Sequence, residues 1–252
     1  MNNGRKRSVT NRQLVVAAML GAVTVVLGLT PLGFIPLGII NATTMHIPVI
    51  IAGILEGPIV GAAVGLIFGV SSLFNAITRP GPISFVFYNP LISIVPRILI
   101  GLVSAYVYRF LKDKNENSLK KASTVAWLVI IAFLAYLLQK NIKSDANTTT
   151  LVLMGIFLVI SIFMLYYTYK HMNNDFSITA AAFLGSMTNT IFVLGGIYLI
   201  YAERYMNTIG KPIEQARTAI LGVTVTSGIP EAILSVIITT AVVKAMLLGR
   251  GK

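Results

Sequence analysis

Residues 83–108 read ISFVFYNPLISIVPRILIGLVSAYVY, twenty-six positions with a single charge, Arg97. A helix rises 1.5 Å per residue and needs roughly 20 apolar residues to cross the ~30 Å hydrocarbon layer of a bilayer, so this run is long enough to span one. Soluble domains cover their cores with charged surface, about a quarter of all residues. Here only 11% of 252 residues are charged, 56% are hydrophobic and the mean hydropathy is +0.82. An ordinary soluble domain is excluded.

On either side the pattern repeats. Seven further apolar runs, at 13–30, 39–55, 58–75, 123–139, 150–169, 176–201 and 218–248, bring the candidate helices to eight. Short polar breaks separate them, the principal ones at 56–58, 78–82, 109–121, 140–149, 170–175 and 203–217. The fold class read from this is all-α: one integral-membrane domain over 1–252, built as a polytopic bundle. Of the twenty Lys and Arg, thirteen fall in segments that are cytoplasmic if the amino terminus is inside, and six fall outside. The positive-inside rule then puts both termini in the cytoplasm of a plasma-membrane protein. A charge of +12 would suggest nucleic acid in a soluble chain. Spread between apolar runs, it instead sets orientation and meets anionic lipid headgroups, and no nucleic-acid partner is expected. The basic start imitates a signal peptide, but the run from Gln13 lacks an A-x-A-like cleavage site and reads as a retained first span.

Two stretches cannot be straight helix. TPLGFIPLGIINATTMH (30–46) is broken by Pro31, Gly33, Pro36 and Gly38, and NAITRPGPISFVFYNP (75–90) carries three prolines and an aromatic cluster. Irregular backbone at membrane depth must be buried in protein or line a cavity, because lipid leaves its N–H and C=O groups unpaired. Both stretches fall on the outer side, which predicts a cavity open to the outside.

Cysteine is absent, which removes disulfides and thiolate chemistry, and the two histidines, His46 and His171, are far apart in sequence. No metal and no cofactor is expected. There is no Walker A, H-E-x-x-H or G-x-S-x-G sequence. Ionisable groups inside apolar runs are rare because each costs roughly 2.5–3.5 kcal/mol on insertion scales. Arg97 and Glu231 are the two clear cases, both about one-third of the way down from the outer surface. They fit an ion pair, or an Arg97 that satisfies carbonyls freed by Pro90 and Pro96. They equally fit a site in which Arg97 meets an anionic group and Glu231 accepts from hydroxyls or amides. Asn189 and Thr190 form a polar stripe with Ser186, and Asn75 and Asn89 flank the proline-rich loop; such groups link helices or bind substrate. His46, at the start of the second run, is either a hydrogen-bonded helix-start residue or a ligand contact. Ala18 and Ala22, four apart, give the first span a flat face, and Gly61, Gly65 and Gly69 repeat the device in the third.

These features in this order resemble the substrate-binding S components of energy-coupling factor (ECF) vitamin transporters. The resemblance is carried by the basic start with Ala18-x-x-x-Ala22, by MHIPVII (45–51) running into Glu56-Gly57-Pro58, by the glycine-spaced third span, and by VPRILIG (95–101). It covers most of the chain except about 112–172. It implies six core helices holding a vitamin near the outer face, closed by loops at roughly 31–44, 76–89 and 202–217. The extra pair at 123–169 is then an inserted transmembrane hairpin. It also implies partners: a transmembrane T subunit, against which Ala18 and Ala22 would dock, and two cytoplasmic ATPase subunits. MHIPVII and PRILIG look most like members assigned to pantothenate, with folate, pyridoxine-like and thiamin-precursor ligands still open.

The expected function is thus a non-enzymatic vitamin-binding subunit, with Arg97, Glu231, Asn189, Thr190, Asn75, Asn89 and His46 as substrate-binding residues. Three rivals stand beside it: a stand-alone secondary transporter, an integral-membrane enzyme using Glu231 and Arg97, and a purely structural membrane subunit. The enzyme needs a second acid or base within reach, and His46 is the one candidate.

Overall fold

The structure, a computed structural model, describes residues 10–30, 33–36, 41–114, 116–143, 148–171 and 175–250. Pro31, Gly38 and the basic segment 1–9 lie outside the described residues. Helix α1 (Asn11–Leu29) opens with a reciprocal capping box: the Gln13 amide donates to Thr10 Oγ1 at 3.3 Å and the Thr10 amide donates to Gln13 Oε1 at 3.1 Å. The stretch 30–46 contains a two-stranded antiparallel hairpin, β1 (Phe34–Pro36) with β2 (Asn41–Thr43), in register Phe34↔Thr43. These paired strands satisfy one another's backbone groups, as a chain at membrane depth requires.

The run expected at 39–55 is not a full span. It gives α2 (Ile47–Glu56), ten residues, because the first part of the run is committed to the hairpin. Its residues Ile47 to Ile54 are all buried, so α2 is an internal helix apolar on every side. A tight turn follows at Gly57, whose φ of +99° favours glycine and whose Cα is covered by the Arg109 guanidinium. Helix α3 (Pro58–Thr78) comes next. The run 83–108 is likewise divided, into a 3-10 turn (Ser84–Tyr88), a single turn α4 (Pro90–Ser93) and α5 (Val95–Lys112), with the break at Ile94. Pro96 causes the break, since it has no N–H for the carbonyl four residues back.

Helices α6 (Glu116–Lys143) and α7 (Thr148–His171) pair with each other, and α6 touches α8 (Asp175–Thr208). Helix α8 runs past the expected polar break at Glu203, bending at Tyr201 (φ −128°, ψ 17°). Its extension is held by Tyr205 and Met206, which are buried in an apolar cluster with Phe85, Val86 and Ile220. The last segment comprises a 3-10 turn (Ile213–Gln215), α9 (Ala216–Val223), a π-helical turn (Thr224–Gly228) and α10 (Ile229–Arg250). The widened turn lies just before Pro230, whose ring would collide with the preceding turn of a regular helix.

Among the described residues six helices are long and apolar enough to cross a membrane: Asn11–Leu29, Pro58–Thr78, Pro90–Lys112, Asn117–Tyr136, Phe176–Thr208 and Ile213–Gly249. The bundle's outward face is apolar as lipid demands, with Leu199 82% and Phe110 67% exposed. The core is α1, α2, α3, α5, α8 and α10, with the α6–α7 pair beside it. Three backbones meet inside it. A Cβ on Gly61 would lie 2.8 Å from Gly53 Cα and 2.9 Å from the Gly101 oxygen, so α2, α3 and α5 touch through glycine alone. Gly65 abuts the Arg97 carbonyl, and a Cβ on Gly69 would lie 2.7 Å from Ile94 Cα. The spacing of Gly61, Gly65 and Gly69 is therefore an internal packing device.

Candidate binding cavity

Two irregular segments together with helices α1, α3, α5, α8, α9 and α10 line a cavity of about 450 Å³, within the usual range for small-molecule sites. The β-hairpin side contributes Thr43 and Met45, and α3 with the loop after it contributes Phe68, Ser72, Asn75 and Arg79. Phe87, Arg97, Asn189, Thr190, Ser227 and Glu231 complete the polar and aromatic lining, with Val193 and Leu194 as an apolar wall.

Arg97 sits in the first turn of α5 and is 6% exposed. One Nη1 proton is donated to the Ile92 carbonyl, the group that Pro96 leaves without its helical partner. The guanidinium lies between two rings, 5.3 Å from the centre of Phe68 and 5.4 Å from that of Phe87. Cation–π contact compensates part of the cost of burying the charge. Its Nε proton has no partner. Glu231, 8% exposed, follows the π turn and accepts the Thr43 amide at 3.0 Å through Oε1, tying α10 to β2. No ion pair joins Arg97 to Glu231.

Asn75 donates to the Gly28 carbonyl at 3.3 Å, leaving its Oδ1 unpaired, and Asn189 Oδ1 is also buried without a partner. Buried polar atoms are normally paired, and each orphan costs roughly 1–3 kcal/mol. Among the described residues seven side chains carry such an orphan, and three of them, Asn75, Arg97 and Asn189, line the cavity. Thr190 lines the same wall and packs on Gly228, where a Cβ would lie 2.6 Å from Thr190 Cγ2.

Five of the seven sequence-expected residues therefore share one cavity: Arg97, Glu231, Asn189, Thr190 and Asn75. Asn89 and His46 do not line it. Asn89 caps α4, accepting the Leu91 amide at 3.0 Å, and His46 is turned to Ser186 with Nε2 3.1 Å from its Oγ. Asn89 is thus engaged within its own turn and His46 across the bundle with α8. Missing from the expectation were Arg79, exposed at the rim, and the aromatic pair Phe68 and Phe87. The proline-rich loop after α3 signalled the first; nothing in the spacing of Phe68 and Phe87 ties them to Arg97. Ala18 and Ala22 lie on the exposed face of α1, whereas Gly21, Thr24 and Gly28 on the same helix are buried.

Taken as chemistry, the cavity holds two guanidinium groups against one carboxylate, two unspent amide acceptors and an apolar wall. The lining is complementary to a small anion that also carries hydrogen-bond donors and an apolar part. His46, whose Nε2 meets Ser186, does not line the cavity, and its Nδ1 is buried without a partner.

The chain belongs to the family described as ECF transporter, substrate-specific component, which matches residues 12–142. It is similar to the pantothenate transporter PanT of Leuconostoc mesenteroides subsp. mesenteroides, 36% identical over 111 residues, 41% of this chain and 54% of that protein. That alignment spans about half of the relative's length. It is also similar to the pantothenic acid transporter PanT of Lactococcus lactis subsp. cremoris, 28% identical over 226 residues, 84% of this chain and 80% of that protein. The family is one of transporter components rather than enzymes, so the catalytic reading of Glu231 and Arg97 falls away.

Proposed function

We propose that this chain captures pantothenate at the outer face of the plasma membrane and delivers it inward with a transmembrane T subunit and two cytoplasmic ATPase subunits, its own termini being cytoplasmic. The observation that carries the ligand reading is that Arg97 and Glu231 line one cavity with no ion pair between them and with Arg97 Nε unpartnered: an anion and a set of donors complete the two. Pantothenate has one carboxylate, an amide, two hydroxyls and a geminal dimethyl group, one feature for each part of the lining. The names of the two relatives support the same ligand. The partner reading is supported by family membership and by the exposed small residues Ala18 and Ala22, which let a second helix approach closely. In this reading α6 and α7 cross as a pair, an even number of crossings that keeps both termini on one side.

The test is titration of the purified chain with pantothenate, biotin, thiamin and riboflavin, followed by uptake into vesicles. Saturable one-to-one binding of pantothenate alone, and accumulation only with the partner subunits and ATP, is the expected result. Accumulation driven by an ion gradient through the chain alone would replace this reading with a secondary transporter.

A further inference from the structure

The cavity carries two guanidinium groups, and they belong to different depths. Arg97 is buried, its guanidinium 5.3 Å from the centre of the Phe68 ring on α3. Arg79 lines the same cavity but is exposed. It caps α3 eleven residues beyond Phe68, a rise of about 16 Å, and its amide donates to the Asn75 carbonyl at 2.9 Å. Pro80 follows and narrows the backbone choices of Arg79 further. The Arg79 backbone is thus fixed one turn above Asn75. Its side chain has no hydrogen-bond or ion-pair partner among the described residues.

The other charges at this end of α3 and α8 are placed differently. Arg204, near the end of α8, lies over the Phe85 ring at 4.1 Å. Glu203, Lys211, Glu214 and Arg217 are exposed around the passage from α8 into α9 and do not line the cavity. With Arg79 these make four cations against two carboxylates. The lining itself sets Arg79 and Arg97 against Glu231. Mouth and lining both carry an excess of positive charge, and Arg79 is the residue that belongs to the two.

We propose that Arg79 is the capture residue of this cavity: it draws the anionic ligand to the mouth and passes its carboxylate down to Arg97, which holds it in the bound complex. This rests on the anionic-ligand reading given above and adds the order of contacts to it. A single carboxylate meets two guanidinium groups in turn when they are attached so far apart along α3. An exposed charge attracts over about one Debye length, roughly 8 Å at physiological ionic strength, and is screened by the solvent around it. Rim charges therefore change the association rate and its salt dependence, whereas desolvated partners change the dissociation rate. Arg97, enclosed between Phe68 and Phe87, is the desolvated partner.

The experiment is stopped-flow binding of pantothenate to the full-length chain in a non-ionic detergent, at low and at physiological ionic strength. Arg79→Gln should lower the association rate by about threefold or more at low salt, flatten its salt dependence and leave the dissociation rate within about twofold. Arg79→Lys should restore the association rate and Arg79→Glu depress it further; these two carry the test if the Gln variant fails to fold. Lys211→Gln, the same change of charge at the same end but off the cavity, should do much less. Association of a neutral amide analogue should be indifferent to all three Arg79 variants. Dissociation from Arg79→Gln as fast as from Arg97→Ala would make Arg79 a contact of the bound ligand and overturn the proposal. So would an unchanged association rate, or an equal loss in Lys211→Gln. A parent chain that binds no pantothenate would overturn the ligand reading and this one with it, whereas a binding parent matched by Arg79→Gln overturns this one alone.

Discussion

Arg97 and Glu231 face one cavity from α5 and α10 without pairing, each held instead by a backbone group: the Ile92 carbonyl for Arg97 and the Thr43 amide for Glu231. A direct ion pair would have neutralised both and left Arg79 at the rim as the cavity's remaining charge. Anchoring each on the backbone keeps the two charges apart and fixes where they point.

The first prediction concerns Arg97. Arg97→Ala should lower pantothenate affinity at least about tenfold, the weight of a hydrogen bond to a charged group, while affinity for a neutral amide analogue of the vitamin should fall much less. Arg97→Lys keeps the charge and should recover part of the loss. Isothermal titration on variants with unchanged melting curves decides it; equal losses for acid and amide would take Arg97 off the carboxylate.

Glu231 has two tasks that substitution can separate. Glu231→Gln retains an oxygen for the Thr43 amide and should preserve the attachment of β2 while weakening binding of the hydroxyl-bearing ligand. Glu231→Ala removes both, so the Thr43 amide should exchange its hydrogen faster as well. Hydrogen-exchange mass spectrometry of the segment around Thr43, run alongside titration, reads the two effects independently.

Glycine at the α2–α3–α5 contact should be irreplaceable. Gly101→Ala puts a methyl group into the Gly61 backbone, which cannot rotate away, and should destabilise the fold by about 1–3 kcal/mol or more. Gly195→Ala in α8 meets open space and should be neutral or stabilising, as alanine is the better helix former by up to about 1 kcal/mol. Thermal melting in detergent compares them.

Bulk on α1 should uncouple binding from transport. Ala18→Trp and Ala22→Trp fall on an exposed face, so titration should find pantothenate affinity within about twofold of the parent, given that exposed substitutions change stability by roughly 0.5 kcal/mol or less. Uptake with the partner subunits should fall to background. Normal uptake by both variants would remove this face from the partner interface.

The α6–α7 pair should be dispensable for binding. Asp113 before it and Ser177 after it line the same recess, so the chain leaves and re-enters the bundle at one place. Replacing Glu116–His171 by a short Gly/Ser linker should preserve pantothenate binding, checked by titration of the shortened chain.

Much of this was legible in the residues. Hydropathy alone gave the membrane bundle, and two lone charges in apolar runs gave Arg97 and Glu231, because burying a charge in such a run is costly enough to need a reason. Prolines marked the irregular segments but not their form: Gly33, Pro36 and Gly38 excluded a helix in 30–46 without indicating a hairpin. The polar stripe on α8 split, Asn189 and Thr190 to the cavity and Ser186 to His46, since side chains one turn apart can face different neighbours. Asn89 shows the limit of residue type: an amide beside a proline serves a cap as readily as a ligand.

The glycine contact has a mechanical consequence. Where Gly53, Gly61 and Gly101 bring three backbones together, no side chain can compress, so α2, α3 and α5 cannot roll or slide past one another there. Around the cavity the regular helices are interrupted instead, at Ile94 before α5, at Tyr201 within α8 and over Thr224–Gly228 before α10. The close glycine contacts and the helix interruptions thus lie in different parts of the bundle, and any movement on ligand binding is expected at the interruptions.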